Sequence, residues 1–348
     1  MRSSSPLVEI KFFKPEDEDE LLQFFDKNLD TFNIFSHLWK WRKNEASYSG
    51  GERAIIAKKG GQIVGCVGIV PAYVKLKGKS IKTSWQQDSV VSLSMRGKGL
   101  GKQLVSSGAE GWGLVIAKGT SKPMYRLRKS LGFLDVPNSD YLLRVCKPRH
   151  LSLERLKKSL LEWMIYIWKS SVTMLIPRPN TLVKIEEIDS FDKSFDDLAE
   201  TLSKENTLRI FKGQGYLNWR YFKCPVKEYK IFKAYFDGKI GAIILNITGA
   251  NSDEGWIVDL LCAPENKKCA YALIMKTIEY FDHQNVSKIW VFSTLPVKRK
   301  WLFRFGFVRT YLTPRFTYRS QVEALSLLRF DHMQWDFSHG DGDLELYS

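Results

Sequence analysis

Arg96-Gly97-Lys98-Gly99-Leu100-Gly101-Lys102 lies between a strand-like run, Ser89-Val90-Val91-Ser92-Leu93, and a helix-like one, Gln103-Leu104-Val105. Three glycines in five residues let the backbone approach a ligand closely and aim successive N–H groups at one point. The start of the helix and the side chains of Arg96, Lys98 and Lys102 add positive potential. A phosphate or pyrophosphate is the expected ligand. A nucleoside-triphosphate loop needs Gly, four residues, then Gly-Lys-Ser/Thr, but here Arg96 holds the first position and Gln103 the last. The dinucleotide fingerprint fails as well, because its third glycine falls on Lys102 or Leu104.

The surroundings carry the reading further. Leu114-Val115-Ile116-Ala117 reads as a buried strand, a Gly-Thr-Ser-Lys-Pro turn follows, and Met124 to Ser130 reads as a basic helix ending in Leu131-Gly132-Phe133. Upstream, Ala54–Ala57 and Ile63–Val70 form a hairpin around Lys58-Lys59-Gly60-Gly61. Arg-x-x-Gly-x-Gly set in this order of elements resembles the GCN5-related N-acetyltransferase (GNAT) superfamily, over residues 6–147.

The resemblance implies a mixed α/β sheet and acetyl-CoA, or another acyl-CoA, as cosubstrate. Arg96, Gly97, Lys98, Gly99, Leu100, Gly101 and Lys102 would hold the pyrophosphate, and Val90, Val91 and Ser92 would pair with the pantetheine arm as an added strand does. An amine attacks the thioester directly in this family, so the protein must position both reactants, take up the amine proton and stabilise the oxyanion and the thiolate. Asp88 is the candidate carboxylate for the amine and Tyr125 the candidate proton donor to the thiolate. The family tyrosine would fall on Arg128, one helical turn after Tyr125. His37, Trp39, Trp41, Arg42 and Trp85 are candidates for the acceptor pocket.

Shifting the chain by about 175 positions aligns it with itself. Val8-Glu9-Ile10 matches Val183-Lys184-Ile185, Trp41-Arg42 matches Trp219-Arg220, and the Gly61 hairpin matches Asp237-Gly238-Lys239. Asp88 corresponds to Asp259, and Gly132-Phe133 to Gly306-Phe307. Two tandem GNAT-like folds are expected: an N-terminal domain over 1–148, a linker over 149–181, a C-terminal domain over 182–322 and a tail over 323–348. The second copy carries Pro264-Glu265-Asn266-Lys267-Lys268-Cys269-Ala270-Tyr271 in place of the loop, with no glycine, so it is not expected to bind coenzyme A.

At 348 residues, with 44% hydrophobic and 13% aromatic content, the chain can fill two cores. Cys66, Cys146, Cys224, Cys262 and Cys269 form no Cys-x-x-Cys pair and meet no His at metal-ligand spacing, which suits reduced thiols, no metal and a cytoplasmic setting. The net charge of +15 favours anionic ligands in general; no nucleic-acid motif accompanies it.

The 149–181 linker is apolar and basic. Its stretch 160–176 includes Glu162 and Lys169, too charged for a comfortable membrane span. Two expectations follow: a helix that staples the domains together through Trp163, Ile167 and Trp168, which is the preferred one, or a peripheral membrane contact through 155–176. Function reduces to three classes. The leading one is an acyl-CoA-dependent N-acyltransferase acting on a small amine, such as an amino sugar or modified amino acid. The second is an aminoacyl-tRNA-dependent cell-wall peptide transferase of tandem GNAT-like fold. The third is a non-catalytic membrane- or protein-binding module, for which the glycine loop has no use.

Overall fold

The computed structural model describes residues 7–45, 53–147, 182–247, 253–321 and 334–342, with 160, 163, 164, 167 and 346. The first half supplies strands β1 (Val8–Phe12), β2 (Arg53–Lys59), β3 (Gln62–Leu76), β4 (Lys79–Val91), β5 (Leu114–Ala117), β6 (Leu134–Asp135) and β7 (Tyr141–Val145). Its helices are α1 (Glu18–Asn28), α2 (Phe32–Glu45), α3 (Leu100–Ser107) and α4 (Lys122–Ser130). The second half supplies β8 (Lys184–Glu187), β9 (Thr207–Ile210), β10 (Lys230–Phe236), β11 (Lys239–Ile247), β12 (Glu254–Cys262), β13 (Lys288–Phe292), β14 (Val308–Arg309), β15 (Thr317–Ser320) and β16 (Gln334–Asp336). Its helices are α5 (Ser194–Ser203), α6 (Gln214–Leu217), α7 (Lys267–His283) and α8 (Pro296–Arg304). The hairpin β2–β3 turns on Gly60-Gly61 (φ 57° and 80°) and β10–β11 on Asp237-Gly238 (φ 50° and 70°). Paired left-handed residues match the twist of antiparallel strands, which is why glycine recurs at both places.

Two sheets result. One runs β1-β2-β3-β4-β5-β15-β6, with β9 added against β3 and β16 against β9; the other runs β14-β7-β13-β12-β11-β10-β8. The second half therefore lends β9, β15 and β16 to the first sheet, and the first half lends β7 to the second. β15 enters between β5 and β6, pairing Thr317 with Ala117 and with Asp135, while β7 enters between β13 and β14, pairing Trp290 with Leu143 and Val308 with Leu143. The division at residue 148 follows chain order, but the sheets cross it. Arg299 fixes the crossing by donating to the carbonyls of Asn138, Asp140 and Ser293 and to the Asp140 carboxylate at 2.9 Å.

Packing explains which elements flank the first sheet. On one face Leu100, Leu104 and Val105 of α3 press on Val67, Ile69 and Val115; on the other Leu21, Phe25, Phe35 and Trp39 of α1 and α2 press on Ile56, Cys66 and Val90. A Cβ at Gly65 would lie 2.9 Å from the Leu104 side chain, so glycine on β3 lets α3 sit this close. The seam between the halves is a third cluster in which Trp85, Ile116, Phe292, Phe316, Trp335 and Phe337 meet.

That seam is built from residues of both halves. Trp163 and Ile167 are 39% and 60% exposed, as are Leu160 and Met164 beside them, so the expected burial of Trp163 and Ile167 does not occur. Trp168 and most of 149–181 lie outside the described residues. No helix among the described residues is long and apolar enough to cross a membrane.

Candidate active site

The glycine loop adopts the conformation its composition requires. Gly97 and Gly99 have φ of 75° and 82°, with open space where a Cβ would stand, and Gly99 is the N-cap of α3. Among the described residues, the N–H groups of Gly97, Lys98, Gly99, Leu100 and Gly101 make no hydrogen bond; bonding resumes with Lys102 N–H to the Gly99 carbonyl at 3.1 Å. Orphan donors converging at a helix start form a cradle for an anion. Lys98 and Lys102 flank it, and Arg96 Nε meanwhile donates to the Val91 carbonyl at 3.0 Å. This donor set fits the pyrophosphate of an acyl-CoA.

The strands beside the loop part where a thioester would need to enter. β4 pairs with β5 only from Thr83 to Trp85, opposite Leu114 to Ile116, and then the two diverge. An extra residue on β4 between Gln87 and Val90, with Asp88 in the left-handed region at φ 46°, makes the bulge that bends β4 away. The Asp88 carboxylate is engaged by Arg42 Nη2 at 3.1 Å, both side chains being nearly buried. Sequence reading proposed each residue separately and missed that α2 and the bulge bring them together. Val90, Val91 and Ser92 lie along the diverging edge, with Ser92 N–H held by the Val64 carbonyl.

Tyr125 is directed elsewhere. Its hydroxyl donates to Asp135 on β6 at 3.0 Å, and β15 separates β6 from β5. Burial and the Asp135 carboxylate raise its pKa above the usual tyrosine value. The residue of α4 that reaches the divergence is Arg128, whose Nη1 donates to Gln86 at 2.6 Å.

Trp41, Arg42 and Trp85 line a cavity of about 100 Å³ shared between the halves, whereas His37 is exposed and Trp39 donates to Glu18 in the α1–α2 core. The repeated Trp-Arg pairs meet there: Trp41 and Trp219 stack with centroids 4.4 Å apart and planes at 11°. Tyr73, Tyr216 and Leu346 complete walls that are mostly apolar. Sequence reading gave no sign that the tail contributes.

In the second half the corresponding divergence is filled. β12 pairs with β13 only as far as Ile257 opposite Val291, and its bulge falls at Val258, the counterpart of the Asp88 bulge. The tail occupies the gap: Ser338 bridges Ser293, and Gly340 N–H donates to the Val258 carbonyl at 2.9 Å. Asp259 is bound to Lys212 and accepts from Tyr221 at 3.0 Å. Asn266 caps α7 through the Cys269 N–H, so that helix start is closed by its own side chain.

From this gap the tail crosses to the first half. Lys118, just after β5, donates to the carbonyls of Ser338 and His339, and Arg220 donates to those of Gly340 and Gly342. His339 is buried and stacked on Trp256 at 4.3 Å; burial, then the charges of Lys118 and Arg220, holds its pKa well below 6.5. Below about pH 6.5 the unfolded chain therefore takes up a proton that the folded chain refuses, and stability falls as pH drops, by up to about 1.4 kcal/mol per unit. His339→Phe should remove this component. Urea unfolding of both proteins at about pH 7.5 and about 5.5 checks it; equal losses in the two would show that His339 does not contribute.

Residues 9–126 match the family model of the acetyltransferase (GNAT) domain. No curated protein matches the chain. Among solved structures, a probable N-acyltransferase of Enterococcus faecalis superposes with a TM-score of 0.59 at 12% identity, over 90% of this chain and 72% of that one. A GCN5-related N-acetyltransferase of Kribbella flavida gives 0.59 at 12% identity, over 92% and 72%. Eis1 of Mycobacterium abscessus gives 0.54 at 11%, over 90% and 73%. At these identities the likeness is one of fold, and it extends across both halves. Residues 9–126 thus match a GNAT acetyltransferase domain, and the chain as a whole shares the fold of these solved structures.

Proposed function

We propose that the chain is an acyl-CoA-dependent N-acyltransferase whose single cofactor site lies in the first half. The observation that carries this reading is the row of unpaired N–H groups from Gly97 to Gly101 at the mouth of the β4–β5 divergence. Acyl-CoA supplies an activated acyl group as a thioester. The loop would bind its pyrophosphate, and Arg96 is placed to exchange the Val91 carbonyl for a phosphate, freeing that edge for the pantetheine amides. The amine would enter from the cavity shared by Trp41, Trp85 and Trp219. Asp88, already engaged by Arg42, would orient the ammonium and guide its proton toward solvent. Walls of this kind favour an amine carried on an apolar or planar body.

Calorimetry with coenzyme A tests the reading. Binding should saturate at one molecule per chain and stabilise the fold by about 2.7 kcal/mol at a hundredfold excess over the dissociation constant. Gly99→Val should abolish it, because a β-branched side chain is strained at φ 82° and would cover the cradle. Undiminished binding by this variant, or a stoichiometry of two, would refute the assignment.

A further inference from the structure

Arg128 is a fully buried cation for which the described residues provide no carboxylate. Three other buried arginines are better supplied. Arg42 has Asp88, Arg299 has Asp140 and three carbonyls, and Arg220 has the carbonyls of Gly340 and Gly342. Arg128 has the Gln86 amide oxygen for Nη1 and the Phe133 ring under its guanidinium at 5.2 Å, while buried Nε has no hydrogen-bond partner. Taking a charge out of water without an opposite charge is unfavourable, and a buried N–H without an acceptor adds to the cost. Desolvation alone pulls the guanidinium down to about 9.

The position of this charge is informative. Gln86 is the first residue of β4 beyond the last β4–β5 pair, Trp85 with Ile116, so Arg128 reaches the base of the divergence. Gln86 also donates to the Val105 carbonyl at 3.0 Å, which ties the pair to α3. The neighbouring residue Leu127 lies 3.4 Å from where a Gly101 Cβ would stand, so α4 carries Arg128 along the same side as the loop. A cofactor held by the loop and running down the β4 edge brings its sulfur toward this cation.

We propose that Arg128 receives the departing thiolate of coenzyme A as an ion pair, a step that rests on the acyltransferase reading above. The amine nitrogen forms its bond to the acyl carbon, the carbon–sulfur bond breaks, and the electron pair leaves on sulfur, where Arg128 stabilises it. The amine proton goes to solvent, and the thiolate is protonated only after release. No side-chain acid is then needed at the sulfur, in keeping with Tyr125 being engaged by Asp135.

The test is the ionisation of bound coenzyme A itself, followed through the ultraviolet absorbance of its thiolate across a pH series. In the wild type the bound thiol should ionise at least about one pH unit below the free thiol, a tenfold gain in thiolate at a given pH. Arg128→Met should still bind coenzyme A but lose that shift, and Arg128→Lys should retain part of it. Bound thiol that titrates like free thiol in the wild type would overturn the proposal without any variant, as would a shift that persists in Arg128→Met. Absence of coenzyme A binding to the wild type would overturn the acyltransferase reading, and this proposal with it.

Discussion

Residues 1–148 produced alone should fail to fold cooperatively, yet should form a stable complex when produced together with residues 182–348. The expectation comes from the exchanged strands. Without β15, the first sheet is opened between β5 and β6, and the ladder from Thr317–Ser320 to Leu114–Ala117 is lost. Phe316 and Tyr318, both nearly fully buried, leave a cluster that contains Trp85, Leu114 and Ile116. In return β7 withdraws Leu142, and Arg144, which donates to the Phe305 carbonyl, has no sheet to enter. Burying each large apolar side chain contributes about 1.5–3 kcal/mol, so losing several removes an amount comparable to the total stability of a domain, about 5–15 kcal/mol. Circular dichroism melts of each half and gel filtration of the mixture check this. A first half that melts cooperatively by itself at the temperature of the whole chain would show that the exchange is dispensable.

The same exchange marks the limit of what the sequence displays. Strand identity was visible: Leu114–Ala117 coincides with β5, and the hairpin around Gly60-Gly61 forms as its composition requires. Partner choice was not visible. Tyr141–Val145 and Thr317–Ser320 each fit a slot beside a parallel strand in either copy, and no local pattern says which sheet a strand joins. The choice is made by the short crossing at Asn138–Asp140 and by Arg299, more than 150 positions later, whose hydrogen bonds hold it. The glycine loop was legible because left-handed backbone leaves a compositional trace, whereas the Arg42–Asp88 pair spans 46 positions and leaves none. For the second copy, glycine content suggested an inactive loop, and the structure adds an independent obstacle, since Ser338 and Gly340 occupy its divergence.

Lys212→Met should be among the most damaging single substitutions in the second half, costing about 3–5 kcal/mol. Lys212 Nζ lies 2.5 Å from Asp259 Oδ2 and 2.8 Å from Asp341 Oδ1, and both carboxylates are essentially inaccessible to solvent. Burial opposes the ammonium form, but the two carboxylates outweigh it and raise the lysine pKa above its ordinary value. Methionine matches the volume and removes the charge, leaving Asp259 and Asp341 facing each other without a cation. Asp341 also anchors the tail turn by accepting from Ser338 N–H at 2.6 Å, so repulsion should loosen the segment that presents Gly342 to Trp85 and Leu346 to Trp41. Urea unfolding measures the first effect and limited proteolysis after residue 333 the second. The triple change Lys212→Met, Asp259→Asn, Asp341→Asn separates charge from packing. If stranded carboxylates are the cause, it should recover much of the loss, because neutral amides at those sites do not repel. A loss below about 1 kcal/mol for Lys212→Met, or no recovery in the triple variant, would instead mean that the stacked aromatics of the seam hold the tail in place without this ion cluster.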